Sequence, residues 1–360
     1  MCLSTLPHPL RWSPMSTRPA AAPDTAPDFA LSRPTGSVRT QGAVTTFSDT
    51  GSAVTSLERG DVKIVVGALP FDREAPAALT VPEHIIREDG CLQPHAYYRS
   101  GPGSVVHARV SGFDPEPREH LRRIEAAIDT IRESRLDKVV LARAVDFAFD
   151  PPVDPRLVAA RLIDLSQSRD GLNIYSYPLA GSAPRIPNDP VADAAAGKAL
   201  AMSKKNLAEH SYVVEHIREV LEPLCTEMNI STRPQLESTN EMWHLATPIK
   251  GVLKQPAPTA LELAAKLYPT PAVCGTPQHA AETLITTAES DRSFYAGAVG
   301  WTTSDGNGEY VVSIRCAQVN ADGTAARAWA GGGLVASSDA EEELAETTAK
   351  LLTIQRALGL

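Results

Sequence analysis

The 360 residues contain no P-loop, no G-x-S-x-G elbow, no H-E-x-x-H pair and no dinucleotide-binding fingerprint. The nucleotide, serine-hydrolase and zinc-protease chemistries that those motifs carry therefore have no foothold here. No apolar run approaches the ~20 residues of a membrane span, so no membrane contact is expected. Five cysteines (Cys2, Cys91, Cys225, Cys274 and Cys316) are scattered without a C-x-x-C pair. That usage fits neither a disulfide framework nor a zinc site, and points to a reducing, cytoplasmic setting. Arg11, Trp12 and Pro14 interrupt any apolar signal-peptide core near the start, which argues against secretion. The formal net charge of −9 lacks the basic footprint that a nucleic-acid partner requires. What remains is an ordinary globular composition, 43% hydrophobic and 21% charged.

Residues 1–36 are rich in Pro, Ala, Ser and Thr and read as a disordered tail; 37–360 read as one domain. From Gly51 to Val110, short apolar runs alternate with turns, as in strands of a mixed sheet. Pro115 to Leu136 then predicts a helix with Leu121, Ile124, Ile128 and Ile131 on one stripe. The strand Asp137–Arg143 follows at once, with Lys138 at the mouth of an apolar run. A desolvated lysine there has a lowered pKa and can serve as a base, although a solvated strand-start charge has the same pattern. Asp154 to Leu165 predicts a short helix, and Tyr177–Ala183 a turn whose Gly181 and Ser182 N–H groups can face an anion. Ala199 to Leu224 reads as one long helix, and Glu209 falls on its buried stripe with Val213 and Ile217. A carboxylate in that position needs a partner or a cation. His244 sits in the short strand of Glu241–Pro248.

The C-terminal third gathers polar groups most densely. Tyr268 to Gly275 is a loop punctuated by Pro and Gly. A hairpin follows, with its turn at Ser304–Gly308. Alternation along its second strand puts Glu309, Val311, Ser313 and Arg315 on one face, and suggests that Arg315 awaits an anion. Gly331, Gly332 and Gly333 come after a strand and allow close backbone approach. Ser338 and Glu341 have capping-box spacing at the start of the last helix, where Glu343, Glu346 and Lys350 share one stripe.

DKVVLAR from Asp137, PLAGSA from Pro178, KNLAEH from Lys205, WHLATP from Trp243, PTPAVCG from Pro269, FYAGAVGW, GNGEYVVSIRCA, AGGG and AETTAK occur in that order over 137–350. In these motifs the chain resembles the chorismate-utilising enzymes, and within them the isochorismate synthase branch. The resemblance implies an α/β fold of the α+β type, with large, mostly antiparallel sheets flanked by helices. It implies conversion of chorismate to isochorismate with Mg2+ as cofactor, by a protein expected to be a monomer. It casts Lys138 as the base that activates water for attack at ring C2, and His244 as a site-lining histidine. Glu209 and Glu346 become Mg2+ ligands, with Glu343 in the outer sphere or bound through water. Gly181, Ser182, Ala272, Arg315, Gly331 and Lys350 match substrate-contacting positions. A dicarboxylate substrate suits this set of cations and backbone donors, and Mg2+ suits carboxylate oxygens.

One departure stands out. The family carries a strand and turn of the type GASPELL before PLAGS, whose glutamate is the general acid for the leaving C4 hydroxyl. Here 165–171 runs almost directly from the helix into LNIYSYPLAGS, and no glutamate lies between Glu133 and Glu209. About 25 residues are missing by comparison, more than ordinary loop variation. Loss of that core strand predicts lower stability, and loss of the acid predicts roughly 10²–10⁴-fold slower turnover. Salicylate synthase, an anthranilate or aminodeoxychorismate synthase, and a non-catalytic chorismate-binding protein are the alternatives. Lys138 disfavours the ammonia-using branches, and the Ala180 of PLAGS disfavours aminodeoxychorismate synthesis. Whether the product feeds a siderophore or menaquinone is left open.

Overall fold

A computed structural model describes residues 28–33, 36–93, 95–99, 104–159, 174–186, 188–238 and 242–360. Two five-stranded sheets form the frame. The first carries β8 (Lys138–Phe149), flanked by β7 (Ala108–Asp114), β15 (Gly275–Thr276) and β19 (Ala325–Val335), with β18 (Ala317–Val319) beyond β19. The second has the order β17 (Gly308–Val312), β16 (Ala298–Thr303), β4 (Ile64–Leu69), β5 (Ala78–Val81), β3 (Thr45–Phe47). Among the described residues there are also three small sheets. They are β1 (Phe29–Arg33) with β2 (Gly36–Gln41) and β6 (His84–Glu88); β9 (Ile174–Ser176) with β14 (Ile249–Leu253) and β11 (Cys225–Ile230); and β10 (Leu179–Pro184) with β13 (Met242–Ala246) and β12 (Gln235–Ser238). Every strand pairing with an assigned register is antiparallel. The expected mixture of helices and mostly antiparallel sheets is therefore the observed one.

Seven helices matter for the account: α1 (Thr50–Glu58), α2 (Pro117–Glu133), α3 (Pro190–Met202), α4 (Lys204–Leu221), α5 (Ala260–Leu267), α6 (Gln278–Ala288) and α7 (Ala340–Ala357). The apolar stripe of α2 buries Ile124, Ala127, Ile128 and Ile131 against Val139, Leu141 and Leu334 of the β8–β19 sheet. Burying such a side chain stabilises by about 1.5–3 kcal/mol, so this stripe fixes α2 on the sheet. Leu351 and Ile354 of α7, with Leu358 at its C-cap, close a second cluster with Phe147 and Ala328.

Several local expectations shift. The tail expected over 1–36 ends sooner, because Phe29–Arg33 pairs with Gly36–Gln41; residues 1–27 lie outside those described. The single helix expected from Ala199 is two helices, α3 and α4, divided at Ser203. Its φ of −69° and ψ of 113° are extended, and its hydroxyl caps Asn206 N. A serine that bonds its own downstream backbone competes with helix continuation. The capping box expected at Ser338 is absent: Asp339 is the N-cap of α7 and accepts from Glu342 N. The three glycines lie inside β19 rather than after it, and Gly181 and Ser182 lie in β10 rather than in a free turn. The junction at 165–171, with Asp164 and Asp170, falls outside the described residues.

Candidate active site

The site forms where the start of β8, the glycine run of β19, the first turns of α4 and α7, and the β10–β13 ladder converge. Register sets Lys138 opposite Val335 and Val140 opposite Gly333. The Lys138 side chain is 1% exposed, and its Nζ lies 3.6 Å from Glu209 Oε2. Burial pushes the lysine below its ordinary range, while the Glu209 charge pulls the other way. Burial also raises Glu209, against the pull of Lys138. Gly333 leaves room for this pair. A Cβ on it would lie 2.6 Å from Glu209 Oε2 and 3.1 Å from Lys138 Cε.

Glu209 comes from α4, whose buried stripe reads Glu209, Val213, Ile217, Leu221. One helical turn earlier, Lys205 forms a tight ion pair with Glu343 Oε1. Ser338 Oγ donates to the same oxygen at 2.9 Å, while buried Glu343 Oε2 has no partner. Burial pushes Glu343 up to about 7, although Lys205 opposes this. One turn farther along α7, Glu346 Oε1 meets Lys350 Nζ at 2.8 Å and accepts from Ser182 Oγ at 3.0 Å. Burial acts to raise Glu346, but the Lys350 pair and the Ser182 bond hold it below the usual carboxylate range. Lys350 also donates to Gly331 O at 2.8 Å. Three lysines and three glutamates therefore interleave, each carboxylate with its own cation.

The remaining expected residues divide. His244 is opposite Ser182 in the β10–β13 ladder and is buried. Burial, with the charges of Arg315 and Lys350, lowers it to about 4, so its imidazole is neutral at pH 7. Arg315 is not in a strand: β17 ends at Val312, and Arg315 takes a left-handed φ of 51°. The alternation expected as far as Arg315 breaks because Ser313 N bonds Gly297 O while Ile314 N turns back to Val312 O. Ala272 lies in the turn closed by Val273 N and Cys274 N on Thr270 O, packed between two apolar clusters. Gly181 is left-handed at φ 78°, and a Cβ there would press on Asn206 at 3.1 Å.

Among the described residues, no three His, Cys, Asp or Glu side chains converge to hold a metal. Glu343 commits Oε1 to Lys205 and Ser338, while its buried Oε2 has no partner. Glu209 and Glu346 still offer an oxygen-only pair, and Glu209 has only a 3.6 Å contact with its lysine. Mg2+ commonly uses one or two carboxylates with water and substrate, so the donor chemistry fits. Reading the sequence missed Lys205, although it stands four residues before Glu209 on the same helix face. It also missed His210 and Thr247, which bond to each other behind β10.

Comparison with known proteins places this geometry. A family model described as chorismate binding enzyme matches residues 164–359. The chain is 43% identical over 366 positions to MenF of Mycobacterium tuberculosis (strain ATCC 25618 / H37Rv), covering 93% of this chain and 96% of that one. It is 38% identical over 329 positions to isochorismate synthase DhbC of Bacillus subtilis (strain 168), covering 82% and 81%. The crystal structure of DhbC from Bacillus anthracis superposes with a TM-score of 0.82 at 33% identity, covering 92% and 95%. The 366 positions of the first alignment draw on only about 335 residues here (93% of 360), so about 30 positions of that relative in total face gaps. With its fold, its interleaved lysines and glutamates and these relatives, the chain belongs to the isochorismate synthase family of chorismate-binding enzymes.

Proposed function

We propose that this chain converts chorismate to isochorismate, with Mg2+ as cofactor. The observation that carries the reading is the buried Lys138, held 3.6 Å from Glu209 against the glycine run. Burial favours its neutral form, and a neutral amine can take the proton of a water that attacks ring C2. Lys350, anchored on Gly331 O and Glu346, supplies positive charge for a substrate carboxylate. Ser182 orients Glu346, and neutral His244 lines the same ladder. Bound through Glu209 and Glu346, Mg2+ would supply further charge for a carboxylate.

Protonation of the leaving C4 hydroxyl is the weak step. The gaps against the relatives are in total about as long as the general-acid segment read as missing, and no glutamate lies between Glu133 and Glu209. This supports a slow enzyme, roughly 10²–10⁴-fold below an intact relative, and keeps a binding-only protein as the second reading. The test is chorismate turnover with and without Mg2+, with isochorismate, salicylate and anthranilate separated by chromatography. Slow, Mg2+-dependent isochorismate formation is expected. Salicylate or anthranilate as the sole product would overturn the assignment, and binding without any product would select the second reading.

A further inference from the structure

The antiparallel ladder between β10 and β13 is interrupted where the site needs it. Leu179 pairs with Ala246 and Ser182 with His244, so Ala180 and Gly181 together oppose Leu245. Such a bulge takes a backbone carbonyl out of the ladder, and a buried carbonyl needs another donor. His210 provides it. Its ring is 3% exposed, with Nδ1 3.1 Å from Ala180 O and Nε2 2.7 Å from Thr247 Oγ1. A carbonyl only accepts, so Nδ1 carries the hydrogen; in the neutral ring Nε2 then accepts from the Thr247 hydroxyl. The polarity of the chain Thr247–His210–Ala180 is thereby fixed. Thr247 is itself tied to the start of the segment through its N–H, which donates to Pro178 O at 3.4 Å.

We infer that His210 is a positioning residue, which holds the bulged Ala180–Gly181 backbone so that Gly181 and Ser182 face the site. The inference rests on the proposed chorismate reading only for its effect on binding. The same turn of α4 that directs Glu209 at Lys138 directs His210 at the opposite wall, while Asn206 packs beneath Gly181. Without His210, Ala180 O loses the buried side-chain donor that helps keep Gly181 left-handed, and Ser182 Oγ loses its fixed line to Glu346 Oε1.

The test uses the full chain as His210→Ala, His210→Asn and His210→Gln. An asparagine amide can reproduce the donor at Nδ1, whereas glutamine reaches toward Thr247 instead. Amide hydrogen exchange should be about five- to tenfold faster over 179–184 in His210→Ala, with β4 and β16 unchanged, and should return towards the native rate in His210→Asn but not in His210→Gln. Chorismate affinity by calorimetry should fall about tenfold in His210→Ala and recover in His210→Asn. Unchanged exchange over 179–184, exchange raised equally across the molecule, or equal failure of Asn and Gln would overturn the inference. Native protein that does not bind chorismate would count against the function proposed above, and the exchange rates would still decide the role of His210.

Discussion

At the scale of single residues, Lys138 carries the account. It is a fully buried lysine whose partner carboxylate on Glu209 is offset at 3.6 Å, and burial lowers its hold on the proton. Lys138→Ala should lower the rate of chorismate conversion by roughly 10²–10⁴ while leaving chorismate binding within a few fold, measured by progress curves and calorimetry. The sequence made Lys138 and Glu209 legible for a simple reason. A charge at the mouth of an apolar strand, or on an apolar helix stripe, conflicts with its neighbours and asks for a partner. Arg315 misled for the same reason. Strict alternation carried it onto a strand face, but backbone bonds from Ser313 and Ile314 end the strand early. Lys205 was overlooked because the first turn of an amphipathic helix is a common place for a solvated lysine.

At the scale of elements, a side-chain pair does the work of a strand. Beside β8, β15 is only two residues long and pairs no farther than Val139 and Lys138. Beyond it, Arg292 Nη2 donates to Val140 O at 2.7 Å, and Ala142 N donates to Glu289 Oε1 at 2.7 Å. Arg292 Nη1 also donates to Val273 O at 2.8 Å, which ties the Ala272 turn to the lysine strand. The guanidinium is buried over the Phe71 ring at 4.5 Å. Arg292→Met leaves the buried Glu289 charge without its cation, and should cost about 3–5 kcal/mol of stability by urea denaturation. The double substitution Glu289→Gln with Arg292→Met should recover part of that loss. None of this could be read from the sequence, since Asp291–Arg292 looks like a polar loop; only the fold brings it against the edge of β8. By contrast, the hairpin around Ser304–Gly308 and the stripe of α2 were legible because turn chemistry and helical period act locally.

At the scale of the whole molecule, buried histidine links stability to pH. His120 lies inside α2 beside Arg143 with Nε2 unpartnered, and burial, with the Arg143 and Arg123 charges, lowers it from 6.5 to about 4. Between those values the unfolded chain binds the proton and the folded chain does not, so stability rises with pH across that window. It should be fully present above pH 6.5 and lost as pH falls towards 4. His120→Leu should lessen the rise of the urea midpoint with pH between 4 and 6.5, leaving the part that His244 contributes. The overall architecture was legible because the motifs occur in family order, and the structure with a TM-score of 0.82 agrees with it. The division into α3 and α4 and the early start of β1 were not, because a capping serine and a Pro-rich approach look like ordinary helix interior and tail.

The most direct measurement of the central claim is chorismate turnover in ¹⁸O-labelled water with Mg2+, read by mass spectrometry of the product. Water attack assisted by Lys138 predicts one labelled oxygen at C2 of isochorismate, and no labelled product from Lys138→Ala on the same time scale. Unlabelled isochorismate, or label incorporated equally fast without the lysine, would contradict it.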